Sequence, residues 1–221
     1  MPPKDKISFF RKLTKHLLIS STISLILLFG RMIFITDWAF YFIIWNLFLA
    51  WVPFVLAYYL NYFAYKKGIY FQAILFIIWL LFLPNAPYLI TDFIHLTTWY
   101  QLPIWYDIIL FTSFAWNGII LGFVSIFLVE NFLKKILTTK KVNIFINLSL
   151  FLSCFGIYFG RYMRHNSWDI LAHPILIAGN LANTILDKEN ALNMIGMTIT
   201  WFLFLAGGYR LFRLLLSDRK I

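Results

Sequence analysis

The chain has 221 residues, of which 62% are hydrophobic and 13% charged. Soluble domains carry about 25% charged and about 45–50% apolar residues, so no soluble domain of this size hides so much apolar surface from water. The net charge of +10 would suit nucleic acid, but the Lys and Arg residues stand in short clusters between apolar runs. That distribution orients a membrane protein, so we predict contact with the lipid bilayer and exclude a nucleic-acid partner.

Six apolar runs are long enough to cross a bilayer as helices, for which about 20 residues are needed. In chain order they cover roughly 17–35, 39–60, 70–90, 105–130, 143–163 and 193–216, after a basic tail at 1–16. These runs predict one all-α membrane-embedded domain over residues 1–221, with about six transmembrane helices.

The orientation of the spans follows from the basic residues of the loops. Clusters lie in the tail, after the second and fourth spans, and at the end of the chain, and include Lys66, Lys67, Lys134, Lys135, Lys140, Lys141, Arg210, Arg213, Arg219 and Lys220. The positive-inside rule places all these segments in the cytoplasm. The prediction is a multi-pass protein of the cell membrane with both termini cytoplasmic. Arg31, near the outer end of the first span, is predicted to snorkel to the headgroups, with Asp37 or Asp169 as alternative partners.

The third outward loop, roughly 164–192, is the longest and the only one that carries basic residues. Its apolar stretch from Pro174 to Leu186 begins with a proline, which suits a first helical turn. Because 13 residues are too few to span the bilayer, this stretch predicts a short interfacial or re-entrant helix.

Two prolines, Pro84 and Pro87, stand three residues apart near the end of the third span. Each removes a backbone donor and disrupts a helix. One interpretation is a helix that ends near the outer interface. The other is a broken helix that lines a pocket, with Asn85 available to satisfy the freed carbonyls and with Asp92 and His95 one turn apart on one face.

A second polar cluster follows the fifth span, at 160–169. If that helix continues, Arg161, Arg164, His165 and Trp168 share a face, and Asp169 lies one turn beyond His165. Two arginines one turn apart can hold a phosphate or carboxylate, and a carboxylate can orient a histidine as a base. The alternative is that the arginines only snorkel to the headgroups and the His–Asp pair is a solvated surface contact.

These two clusters are predicted to meet in one polar pocket that is open to the outer face. The candidate catalytic residues are His165, Asp169, Asp92 and His95, and the candidate substrate-binding residues are Asn85, Arg161, Arg164 and Asn166. No metal is predicted, because the spacing of the His and Asp residues matches no strong metal-binding signature. The sequence identifies no cofactor. Gly118-x-x-x-Gly122 and Gly156-x-x-x-Gly160 predict close helix packing in lipid.

The run FLPNAPY at 82–88, continuing into TDFIHL at 91–96, resembles the signature of a bacterial multi-pass family catalogued as domain of unknown function 1361. The stretch from Gly156 to Asp169 is similar to the second signature of that family. The resemblance runs from about the second span to the sixth. It implies a bacterial cytoplasmic-membrane protein and supplies no activity.

Three functions remain open on the sequence. The polar pocket could act on an anionic, lipid-linked or envelope precursor, and whether it is an enzyme is undecided. The chain could instead be an accessory or scaffold protein that docks other membrane proteins, or a small transporter or channel. The ionisable groups cluster at one side of the membrane, which is unfavourable for a through-pathway.

Overall fold

A computed structural model describes residues 4–35, 38, 40–63, 67–97, 103–166 and 169–217. Every regular element in these ranges is helical, and one of them is a 3-10 helix at Asp92–Thr97. The α-helices are α1 (Lys4–Ile35), α2 (Phe42–Tyr62), α3 (Ile69–Phe82), α4 (Asn85–Thr91), α5 (Ile104–Leu133), α6 (Thr139–Arg161), α7 (Asp169–Ala172), α8 (Pro174–Leu186) and α9 (Lys188–Ser217).

Six segments among the described residues are long and apolar enough to cross a membrane. They are Phe9–Phe34, Phe42–Tyr62, Ile69–Leu96, Ile104–Leu133, Thr139–Arg161 and Lys188–Leu216. The third of them combines α3, α4 and the 3-10 helix. The prediction of an all-α, multi-pass membrane protein with six spans is therefore confirmed.

Helix α5 forms the centre of the bundle, where it packs against α1, α2 and α4, while α9 packs along α6. Polar contacts join these helices within the spans. Asn117 of α5 donates to Ser24 of α1 over 3.0 Å, and Trp79 of α3 donates to Ser125 of α5 over 2.7 Å. Such bonds hold helices together in lipid, where apolar contact alone gives no preference for protein over solvent.

Arg31 does not snorkel, so that prediction is wrong, and its partner is Asp107 rather than Asp169; the other predicted alternative, Asp37, lies outside the described residues. Its side chain is fully buried, and Nε lies 2.7 Å from Oδ1 of Asp107 in the first turn of α5. The guanidinium also stacks on Phe40, 4.0 Å from the ring centroid. A buried arginine is tolerated only with a compensating charge, so this pair fixes the end of α1 to the start of α5.

One helix boundary differs clearly from the sequence prediction, because α1 begins at Lys4, within the segment expected to be a tail. Helix α6 ends at Arg161, within two residues of the predicted end of the fifth span, so it does not continue through the second polar cluster. The short helix at Pro174–Leu186 is present with the predicted bounds. It packs through Ile177 and Leu181 against the end of α6 and leaves none of its own residues fully buried.

The bundle has two ends that carry different polar clusters. We call the end that holds α4 and the last turn of α6 the Arg161 end. The opposite end, where α5 finishes and α6 begins, is the Glu130 end.

Candidate functional site

The helix break at the Arg161 end lies inside the third span. Helix α3 ends at Phe82, the chain turns at Leu83 and Pro84, and α4 begins at Asn85. The amide of Asn85 donates to the carbonyl of Phe82 over 3.0 Å. Asn85 therefore supplies a hydrogen-bond donor to a backbone carbonyl beside the break, as expected.

Glycines of two neighbouring helices allow α4 and the break to pack closely. A Cβ on Gly118 of α5 would collide with the backbone carbonyl oxygen of Ala86. A Cβ on Gly156 of α6 would lie 2.6 Å from Cγ of Pro84. Both Gly-x-x-x-Gly motifs thus face residues 84–88, which we call the PNAPY segment. This close packing explains how the two sequence signatures meet.

Arg161, the last residue of α6, contacts several residues of α4 and of the 3-10 helix that follows it. Its Nη2 lies 2.5 Å from Oδ1 of Asp92, and its Nε donates to Oγ1 of Thr91 over 2.9 Å. Nη1 lies 3.3 Å from Nε2 of His95, and the guanidinium stacks 4.5 Å from the ring centroid of Tyr88. The predicted convergence of the two clusters is confirmed for Arg161, Asp92 and His95.

The charged side chains of this network are mostly buried. The side chain of Asp92 is 1% exposed and that of Arg161 is 14% exposed. The second carboxylate oxygen of Asp92 accepts a hydrogen bond of 3.0 Å from the amide of Asn46 in α2. Asn46 was not predicted as a site residue, although an amide inside a span signals a need for an interhelical partner. This half of the predicted pocket is therefore filled by its own side chains.

Beyond Arg161 the chain leaves the helix, and the expected shared face of the second cluster is not formed. Arg164 has a φ of 55°, the only positive φ found for a non-glycine residue in the described ranges. Its side chain is exposed and has no ion-pair or hydrogen-bond partner among the described residues. The amide of His165 then donates to the carbonyl of Phe159 over 3.3 Å, which folds the turn back onto α6. Trp168 lies outside the described residues.

The predicted contact between His165 and Asp169 is not formed. Nε2 of His165 lies 2.9 Å from the amide nitrogen of Asn180 in α8. Oδ2 of Asp169 instead accepts from the backbone N–H of Asn166 over 2.6 Å and from its side-chain amide over 3.3 Å. Asp169 therefore closes the turn before α7. Asn180 was missed, although it interrupts an otherwise apolar helix.

Most of the predicted site residues thus fall into two groups, with Asn85 apart at the helix break. Asp92, His95 and Arg161 form the buried network, while Arg164, His165, Asn166 and Asp169 belong to the turn above it. Among the residues that the structure describes, no three His, Cys, Asp or Glu side chains are placed to hold a metal ion.

Comparison with curated proteins and with solved structures finds no match. A family model described as protein of unknown function (DUF1361) matches residues 45–205. The match covers well over half of the chain and contains the PNAPY segment, the whole Arg161 network and the Arg164 turn. The chain therefore belongs to the DUF1361 family.

Proposed function

We propose that this protein binds the phosphate-bearing headgroup of a lipid or lipid-linked envelope precursor, with Arg164 as the residue that contacts the anion. The observation that carries the proposal is the conformation of Arg164. A left-handed backbone costs a non-glycine residue roughly 1–2 kcal/mol, and the side chain it presents is exposed and unpaired within the described part of the chain. Strain kept at an exposed cation supports a role in binding.

The two arginines of the second signature take different roles in this proposal. The guanidinium of Arg161 contacts Thr91, Asp92 and His95, so most of its N–H groups are already engaged within the protein. Arg161 is therefore assigned a positioning role, because it fixes the end of α6 from which the Arg164 turn begins. Arg164 keeps its planar fork of donors, which matches the oxygens of a phosphate.

Helix α8 favours an anion carried by a lipid over a soluble one. Ile175, Leu176 and Leu186 are exposed along this helix, and Asn180 connects it to His165 in the turn. A short apolar helix that cannot span the bilayer and exposes these side chains suits the boundary between headgroups and acyl chains. A lipid-borne phosphate held there would be at the same depth as Arg164.

Acid–base chemistry is supported less directly than binding. Nε2 of His95 faces an N–H group of Arg161 and must act as the acceptor, because arginine can only donate. This nitrogen is therefore not available as a base while the contact is made. His165 faces Asn180 rather than Asp169. The catalytic roles of His165, Asp169, Asp92 and His95 remain predictions, and the accessory and transport functions remain alternatives.

The proposal places the Arg161 end on the outer side of the cell membrane, with both termini in the cytoplasm. The clusters of Lys and Arg at the other end support this orientation. Reporter fusions after Lys67 and Lys141 should be active only as cytoplasmic reporters, and fusions near Thr98 and Asn180 only as external ones. The reverse pattern would contradict an outward-facing site.

The binding test uses the purified protein in nanodiscs of phosphatidylcholine with a small fraction of a polyprenyl phosphate. Native mass spectrometry would measure the polyprenyl phosphate retained by each variant. Arg164→Asn removes the charge but tolerates a left-handed backbone, and we expect retention about tenfold weaker. The control is Arg11→Gln, which neutralises an exposed arginine of α1. Unchanged retention in Arg164→Asn, or an equal loss in both variants, would contradict the proposal.

A further inference from the structure

A second charged cluster lies at the Glu130 end, far from the signatures. Glu130 of α5 has a fully buried side chain, and its Oε1 lies 2.6 Å from Nζ of Lys134 and 3.1 Å from Nε of Arg213 in α9. Its Oε2 accepts a hydrogen bond of 2.5 Å from the hydroxyl of Tyr209. One carboxylate therefore anchors cations from two helices.

The charges of this cluster do not balance. Two cations share a single carboxylate, so a surplus positive charge remains. The side chains of Lys134 and Arg213 are 38% and 36% exposed, so that surplus is at the surface. Because both nitrogens form ion pairs with the same oxygen, they lie within about 6 Å of each other, the most that 2.6 and 3.1 Å allow. Two fixed cations at this spacing can contact the oxygens of one phosphate.

Arg213 is held in place from two directions. Nε faces Glu130, and Nη1 donates to Oδ1 of Asn143 in α6 over 3.3 Å. Its Nη2 has no partner among the described residues, which leaves one amino group of an oriented guanidinium for a ligand. Lys140 and Arg210 are exposed three residues before Asn143 and Arg213, on the same helix faces.

We infer that Lys134 and Arg213, positioned by the buried Glu130, form a binding site for a phosphate group at the Glu130 end. Lys134 directly follows α5 and Arg213 lies near the end of α9, and both helices are membrane spans, so the phosphate of an anionic phospholipid would be at the right depth. Free inorganic phosphate shares the same chemistry. The site is independent of the one proposed at Arg164.

The test compares Lys134→Gln and Arg213→Gln with the control Lys67→Gln, an exposed lysine in the loop before α3. Each protein is placed in nanodiscs of phosphatidylglycerol and phosphatidylcholine, and native mass spectrometry measures which lipid is retained. We expect each site variant to retain phosphatidylglycerol about tenfold more weakly, with the control unchanged.

A parallel titration of delipidated protein with inorganic phosphate identifies the source of the anion. Tighter binding of phosphatidylglycerol than of phosphate assigns a lipid, the reverse order assigns a soluble phosphate, and either order supports the site. Because Arg213→Gln removes a partner of buried Glu130, Arg213→Lys is included and should retain more lipid than Arg213→Gln. Unchanged retention in both Lys134→Gln and Arg213→Gln, or an equal loss in Lys67→Gln, would overturn the inference.

Discussion

Arg161 and Arg164 are three residues apart and have the same side chain, yet they occupy opposite environments. Arg161 ends α6 and points into a buried network with Asp92, whereas Arg164 follows the helix end with a left-handed backbone and an exposed guanidinium. The difference arises because the helix stops between them. Residues that would share a face of a continuous helix are thereby divided into one that stabilises the fold and one that can contact a ligand.

The largest effect is expected from breaking the buried pair. Asp92→Ala would leave the Arg161 guanidinium without its counter-charge in a mostly buried position, which costs about 3–5 kcal/mol. Thermal unfolding of the purified protein in detergent should show a large loss of stability or no folded protein. The control Asp169→Ala removes a carboxylate that accepts hydrogen bonds from Asn166 in the exposed turn, and its effect should be only about 1 kcal/mol. Equal losses of stability in Asp92→Ala and Asp169→Ala would contradict the distinction between the buried network and the exposed turn.

Packing beneath the break gives an intermediate effect. Gly156→Ala places a Cβ against the ring of Pro84, so we expect a loss of about 1–3 kcal/mol from overpacking. Gly179→Ala is the matched control, because a Cβ at that position of α8 has nothing within 4 Å. The control should be neutral or stabilising, since alanine favours helices. If Gly156→Ala unfolds at the same temperature as the control, the close contact between α6 and the break does not hold.

The smallest expected effect on stability comes from a change in the turn itself, and this change should stabilise the protein rather than destabilise it. Arg164→Gly relieves the left-handed strain and should stabilise the protein by about 1 kcal/mol, despite the flexibility that glycine adds to the unfolded chain. The expected change is a rise of a few degrees in the unfolding temperature. A fall would mean that the Arg164 side chain stabilises the fold and is not reserved for a ligand.

The spans and the convergence of the clusters could be predicted because they depend on strong, local signals. Apolar length marks the helices, and Pro84 and Pro87 mark the break. Polar groups such as Asp92 and Arg161, placed at membrane depth, must find partners, and each other's charge is the obvious choice. The role of Asn85 could be predicted for the same reason, because a carbonyl freed in lipid needs a donor close by.

The remaining features depend on contacts that the sequence does not mark. The first glycine or proline after Arg161 is Pro174, so no helix-breaking residue separates Arg161 from Arg164, and arginine is not a residue expected at a positive φ. The pairing of Arg31 with Asp107 joins residues 76 positions apart. Asn46 likewise reaches Asp92 only because α2 and the third span pack together. Tertiary packing decides these partners.

The most direct test of the account replaces each arginine of the second signature by lysine and measures two properties of both variants. Lysine keeps the charge but cannot reproduce the fork of donors. Arg161→Lys should lose about 1–3 kcal/mol of stability, and its folded fraction should retain polyprenyl phosphate as the unmodified protein does. Arg164→Lys should unfold normally and retain the lipid more weakly. The reverse assignment, with binding lost in Arg161→Lys and stability lost in Arg164→Lys, would contradict the division of roles between the two arginines.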